Sequence, residues 1–287
     1  MTLSRTIKAL TMAAIASVSL SAFAVDVAPT SPQLSVQLWS IKDDVAKDFE
    51  GTLKQLKAMG FDGVEFAGNF GAYEKDPKGL KAFLDKTGLK ASGAHVHFDK
   101  LSPDNFDATV AFYKAIDCKY LIIPMDKRAA TAEGAKEVAA ELDAIQKKLA
   151  AHGMHTGYHN HTVEMLGEMG KTPWDVIGIN TKSDVILQQD VGWTEVAGKD
   201  PIAFIKAYPG RTITTHYKAS APAEGNTEHP IIGQDTTDWK ALITANKTYG
   251  GTLWLVVEQE SYPKGMSPMQ SVEASLKGLQ KVIGEMK

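Results

Sequence analysis

The stretch LSVQLWSIKDD, residues 34–44, joins an apolar run, Leu34 to Trp39, to the start of an amphipathic one. The turn between them, Trp39-Ser40-Ile41-Lys42-Asp43, holds no glycine. A doubly wound open sheet usually carries a Gly-rich phosphate turn at this place, directly after its first strand. Its lack here favours the other common fold built from repeated βα units, the closed (β/α)8 barrel.

Working outward from this stretch, short apolar runs alternate with longer amphipathic ones, most of which stop at Gly or a similar signal. Strands are expected at Leu34 to Trp39, Phe61 to Phe66, Leu89 to His97, Lys119 to Pro124, Met154 to His161, Asp184 to Asp190, Thr212 to His216 and Thr252 to Glu258. Helices are expected at Asp48 to Met59, Pro77 to Thr87, Asn105 to Ile116, Thr131 to His152, Pro173 to Ile179, Pro201 to Tyr208, Trp239 to Tyr249 and Pro268 to Met286. Gly60 and Gly88 are the stop signals of the first two. Eight of each, with no linker-like break, predict a single α/β (β/α)8 barrel over residues 25–287. Ala219 to Thr237 is too long for a tight turn and is expected to form a lid over the active face.

Residues 1–24 read as a secretory signal peptide. Arg5 and Lys8 form a basic region, Ala9 to Ala24 is uncharged, and Ala22-Phe23-Ala24 has the form a signal peptidase accepts. That apolar run is shorter than the ~20 residues a spanning helix needs, so no membrane insertion is expected after cleavage, and the product is expected to be periplasmic or secreted. Without Arg5 and Lys8 the 31 basic residues become 29, against 34 acidic ones. With no basic cluster to displace counterions from phosphates, nucleic acid is not an expected partner. Cys118 is the single cysteine, which excludes an intrachain disulfide; its apolar surroundings predict a buried structural thiol.

In a barrel of this kind the active site forms where strands run out into βα loops. The expected strand ends carry Trp39, Glu65, His95 with His97, His159 with His161, Asp190, His216 and Glu258. Six of the eight strands thus place an acid or an imidazole at the same end, the donor set of a divalent cation such as Mn²⁺, Zn²⁺, Co²⁺ or Mg²⁺. Within Gly157-Tyr158-His159-Asn160-His161, residues two apart share a side of a strand, so both histidines are expected to point inward, one to bind metal and one to work beside it. Glu164 stands as a further ligand, as a partner fixing a histidine tautomer, or as a loop residue near solvent.

These residues carry a resemblance. Gln37-Leu38-Trp39-Ser40, Gly63-Val64-Glu65-Phe66-Ala67-Gly68, Gly157-Tyr158-His159-Asn160-His161, Gln189-Asp190-Val191-Gly192-Trp193, Tyr208-Pro209-Gly210-Arg211, Asp238-Trp239-Lys240 and Val257-Glu258-Gln259 together resemble the xylose-isomerase-like TIM-barrel family of sugar isomerases and epimerases, which also contains endonuclease-IV-like proteins. The resemblance implies one divalent metal held by Glu, Asp, His and Glu. The matching positions here are His159, Asp190, His216 and Glu258, so imidazole replaces the first carboxylate and departs from the two-glutamate proton relay of the sugar epimerases. The family's His-x-Lys-Asp pattern reads His216-Tyr217-Lys218-Ala219, keeping the lysine without the acid.

The implied chemistry is removal of a proton beside the carbonyl of a sugar or keto-sugar, with isomerisation, epimerisation or β-elimination as outcomes. His161 is the expected base, because an imidazole titrates near neutrality, and Glu258 or Glu65 its partner on the opposite face. Lys218 either holds a substrate oxygen or is solvated. Trp39, Trp193 and Tyr158 either stack on sugar faces or fill core; Trp39 and Trp193, with His95, His97 and Lys218, are the expected substrate-binding set. Export and the lack of an Arg/Lys phosphate clamp favour an unphosphorylated sugar. The alternatives are a non-catalytic exported sugar-binding barrel and an endonuclease-like phosphodiesterase, which would want more metals and a basic track.

Overall fold

The computed structural model describes residues 31–220 and 231–287. The expected signal peptide, residues 1–24, and the centre of the expected lid, residues 221–230, lie outside the described residues. Eight strands follow the order read from the sequence: Gln33–Gln37 (β1), Gly63–Phe66 (β2), Lys90–His95 (β3), Tyr120–Ile123 (β4), His155–His159 (β5), Ile186–Gln188 (β6), Thr214–Tyr217 (β7) and Trp254–Val257 (β8). All neighbours pair in parallel, in the order β6-β5-β4-β3-β2-β1-β8-β7. The ring comes together between β6 and β7 through a bridge from Asp190 to His216. Two backbone bonds support it, from Leu187 N–H to the Arg211 carbonyl and from His216 N–H to the Gln189 carbonyl, each 2.8 Å. This is a (β/α)8 barrel.

Parallel neighbours require crossovers, and amphipathic helices supply them. In Phe49–Met59 the side chains of Leu53 and Leu56 are fully buried, as are Leu80 of Pro77–Thr87, Val138 and Leu142 of Ala132–Leu149, and Val272, Leu276 and Leu279 of Pro268–Gly284. Their three- and four-residue spacing turns one stripe of each helix to the sheet, and each burial contributes roughly 1.5–3 kcal/mol. Asp48 and Asp76 accept the N–H of Gly51 and Gly79 to start the first two of these helices. Gly60 and Gly88 end them at φ 110° and 77°, the left-handed conformation a side chain disfavours. Cys118 is buried as expected, and burial pushes its thiol up. Among the described residues no helix is long and apolar enough to cross a membrane.

Strand ends differ from the sequence reading where the chain turns early. β1 stops at Gln37, and Trp39 belongs to a 3-10 turn, Leu38–Ile41. β3 stops at His95, because the chain bends into the 3-10 turn Phe98–Leu101; His97 is therefore outside the strand and exposed, and does not share the placement of His95. β5 likewise stops at His159, leaving His161 in the loop. Two short helices, Lys42–Lys47 and Val191–Val196, lack a signal long enough to have been expected.

Candidate metal centre

His159 ends β5, His216 stands one residue before the end of β7, Glu258 directly follows β8, and Asp190 lies in the segment after β6. One donor atom from each lies within 4.8 Å of the others, and all four side chains are buried. Their approach depends on a close fit below them: at Gly157 in β5 a Cβ would fall 2.3 Å from the Ile186 carbonyl oxygen of β6, so only glycine lets these strands pair.

The orientation of each donor is assigned from the hydrogen-bond network, starting with Glu65 on β2, which is fully buried. As a carboxylate it accepts only: from the Gln188 amide at 2.8 Å and from His216 Nε2–H at 2.6 Å. The amide so fixed turns Gln188 Oε1 toward His95 Nε2–H, at 2.8 Å, and His159 Nδ1–H, at 3.2 Å. Each metal-facing nitrogen is thereby defined: Nε2 of His159, 3.9 Å from Asp190 Oδ2, and Nδ1 of His216, 3.0 Å from Glu258 Oε2. Such outer partners are what metal-binding histidines ordinarily require.

Asp190 is held from three directions. Its Oδ1 accepts the Trp193 N–H at 2.7 Å, its backbone N–H donates to Asn160 Oδ1 at 2.9 Å, and its carbonyl accepts from the Thr194 hydroxyl at 2.6 Å. Among the described residues its Oδ2 has no hydrogen-bond partner, although it is buried and faces the other three donors. A buried carboxylate oxygen without a hydrogen bond is costly, and a cation among two imidazoles and two carboxylates would satisfy it. The residues fit a divalent metal.

Titration behaviour follows from the same packing. Burial raises Asp190 to about 7. Burial lowers His216, but the carboxylates of Glu258 and Glu65 on its two nitrogens outweigh this and raise it to about 10. Glu258 is pushed up by burial and, more strongly, down by His216 and Lys218, ending well below the usual carboxylate range. Burial, reinforced by the charge of neighbouring His216, lowers His159 well below the usual imidazole value.

The other expected site residues are distributed unevenly. His161 lies beside the centre, with ring centroids 5.1 Å from His159 and 5.8 Å from Trp193, and burial lowers it to about 4 rather than leaving it near neutrality. Its side chain makes no hydrogen bond among the described residues. Lys218 is not solvated: it is 8 % exposed, its Nζ lies 3.9 Å over the Trp193 ring and 3.8 Å from both Asp190 Oδ2 and Glu258 Oε2, and it pairs with Glu260. His95 stacks on His216 at 5.2 Å and belongs to a second tight group with His159 and His216. Glu65 stands behind His216 with no exposure, a place that orients the ligand and gives it no path to an opposite-face proton. Tyr158 fills core, receiving the Asp126 N–H and donating to Glu164. Glu164 is buried and accepts the His161 backbone N–H at 2.8 Å, so it holds the loop rather than a histidine ring or a metal. Gln188 escaped the sequence reading because an amide inside a strand carries no chemical signature of its role.

A cavity of about 640 Å³ opens from this centre, with His95, His159, His161 and Glu258 in its wall. Trp39, 47 % exposed, and His97 also line it.

A family model described as xylose isomerase-like TIM barrel matches residues 53–282. Inosose dehydratase of Lacticaseibacillus casei is 24 % identical over 261 residues, covering 77 % of this chain and 85 % of that protein. The sugar phosphate isomerase/epimerase of Parabacteroides distasonis shares the fold with a TM-score of 0.72 at 23 % identity, over 87 % of this chain and 98 % of its own. The IOLI protein with a bound zinc atom does so with a TM-score of 0.62 at 15 % identity, over 88 % and 98 %.

Proposed function

The chain belongs to the xylose isomerase-like TIM barrel family, and on that premise we propose that it is a divalent-metal-dependent enzyme that removes a proton beside the carbonyl of an unphosphorylated sugar, keto-sugar or keto-glycoside. The observation that carries this reading is the convergence of His159, Asp190, His216 and Glu258 at the end of an open cavity, with Asp190 Oδ2 making no hydrogen bond among the described residues. The relatives named as a sugar phosphate isomerase/epimerase and an inosose dehydratase support the reaction class, and the zinc-bearing IOLI protein supports the ion.

His159, Asp190, His216 and Glu258 would hold a divalent ion, whose positive charge would stabilise an oxygen turning negative as the neighbouring carbon loses its proton, a contribution of several kcal/mol. His161 takes that proton. Burial keeps its ring neutral above about pH 4, and its side chain makes no hydrogen bond among the described residues. The Glu164 carboxylate on the His161 backbone N–H holds the loop that carries this histidine. Lys218, over Trp193 and paired to Glu260, has its ammonium 3.8 Å from Asp190 Oδ2 and Glu258 Oε2, from where it stabilises a second substrate oxygen. Return of the proton to the adjacent carbon gives an isomer, return to the other face an epimer, and loss of a β-substituent an alkene product.

The test is incubation of the Mn²⁺-loaded protein in D₂O with keto-sugars and oxidised glycosides. Deuterium should enter the carbon beside the carbonyl, and His161→Ala should abolish this while elemental analysis shows metal retained. Metal without wash-in from any substrate would leave a sugar-binding barrel. We also propose export, on the N-terminal pattern of residues 1–24; a secreted fraction beginning at Val25 by mass would bear on it.

A further inference from the structure

The cavity changes chemistry along its length. Its metal end is built by residues after β5 and β8, His159, His161 and Glu258, whereas the loops after β2 and β4, the exit of β3 and the helix Phe106–Ala115 contribute Phe70, Val96, Phe112, Tyr113, Pro124 and Met125. We propose that this second half is a subsite for a flat apolar group, an aromatic aglycone, carried by the sugar whose carbonyl end meets the metal centre. The inference rests on the sugar-directed reading above and adds what is attached to the sugar.

The wall is set before any ligand arrives. Phe70 packs between Phe66 and Phe112, with centroid distances of 5.1 and 4.7 Å, and Glu74 Oε1 accepts its backbone N–H at 3.1 Å. Phe112 is only half-buried and Met125 is 57 % exposed, so an aromatic face and a thioether remain uncovered beside a buried Val96. Rings stack on such a surface, and sulfur adapts to their edges.

Two other occupants are disfavoured by the same residues. A second sugar wants unpaired hydrogen-bonding side chains, yet here Asn105 already donates to the Asp99 carbonyl at 2.9 Å, and the Thr109 hydroxyl donates to the Lys100 carbonyl at 2.7 Å. A phosphate wants clustered cations. Among the described residues lining the cavity Lys100 is the only lysine or arginine, against Glu74, Glu258 and Glu260. The volume of about 640 Å³ exceeds what one pyranose ring fills and falls within the ~300–1,000 Å³ of sites that take drug-sized ligands.

The experiment compares phenyl and methyl β-glycosides of glucose, galactose and xylose by calorimetric titration of the full mature protein, with metal content measured on each sample. At least one phenyl glycoside should bind about tenfold or more tightly than its methyl partner, from the apolar area covered. Phe112→Ala and Met125→Asp, both at incompletely buried positions, should each remove most of that advantage without changing methyl glycoside binding. If no phenyl glycoside outbinds its methyl partner, or if the advantage survives both substitutions together, the subsite assignment fails. Metal-loaded protein that exchanges deuterium without a phenyl preference overturns the subsite alone. A phenyl preference lost in the variants, in protein that takes up no metal, upholds the subsite and overturns the enzymatic reading.

Discussion

Glu65 contributes no donor to the four-residue centre, yet its two oxygens set the hydrogens of His216 directly and of His159 through Gln188. Glu65→Gln, which can turn a donor toward either partner, should therefore lower metal affinity about 10- to 100-fold while leaving the ligands in place, as competition with a chelator would measure. An unchanged affinity would remove Glu65 from this role. Protons compete with the metal in a definite direction. Metal-free His216 carries a proton up to about pH 10 and Asp190 up to about 7, and both must be released on binding. Affinity should thus rise with pH, more steeply below about 7, and calorimetry in buffers of different ionisation enthalpy should count more protons released at about pH 6 than at about pH 8. The four candidate donors were conspicuous in the sequence because acids and imidazoles stand out at apolar strand ends. Gln188 and Glu164 were not, since their roles exist only through partners across the barrel or around a loop.

Elements were legible wherever periodicity ran long enough. Phe49–Met59 and Pro77–Thr87 stand where Gly60 and Gly88 stop them. The helix Val191–Val196 was missed because it spans six residues and starts on Asp190, which reads as a strand end while its Oδ1 caps the Trp193 N–H. Arg211 is the other element-scale device that sequence could not reveal. Buried at 6 % exposure, it donates to the Val185 carbonyl before β6, at 2.9 Å, to the Gly178 carbonyl, at 2.6 Å, and to the Thr181 hydroxyl, at 2.6 Å. It thus ties the end of the helix Pro173–Asn180 to the approach of two strands. Arg211→Met should strand buried carbonyls and cost about 2–4 kcal/mol in urea unfolding; a loss below about 0.5 kcal/mol would contradict this.

At the scale of the molecule, four candidate donors drawn from four successive βα units would make metal binding a property of the whole barrel. An ion that binds only the folded chain stabilises it by about 2.7 kcal/mol at a hundredfold excess over Kd. For a domain of this size, chelation should lower Tm by several degrees, and a coincident Tm with and without chelator would argue against a site built from distant strands. Counting βα units sufficed to foresee the ring; it could not show how the ring shuts. Between β6 and β7 no ladder runs among the described strands, and the bridge that spans them joins Asp190 to His216. Both belong to the group of four donors. A cation held there would rivet the hoop at its thinnest joint. The amide of His216 should therefore exchange with solvent far more slowly in loaded protein than in stripped protein, so that hoop strength and the proposed activity would be gained and lost together.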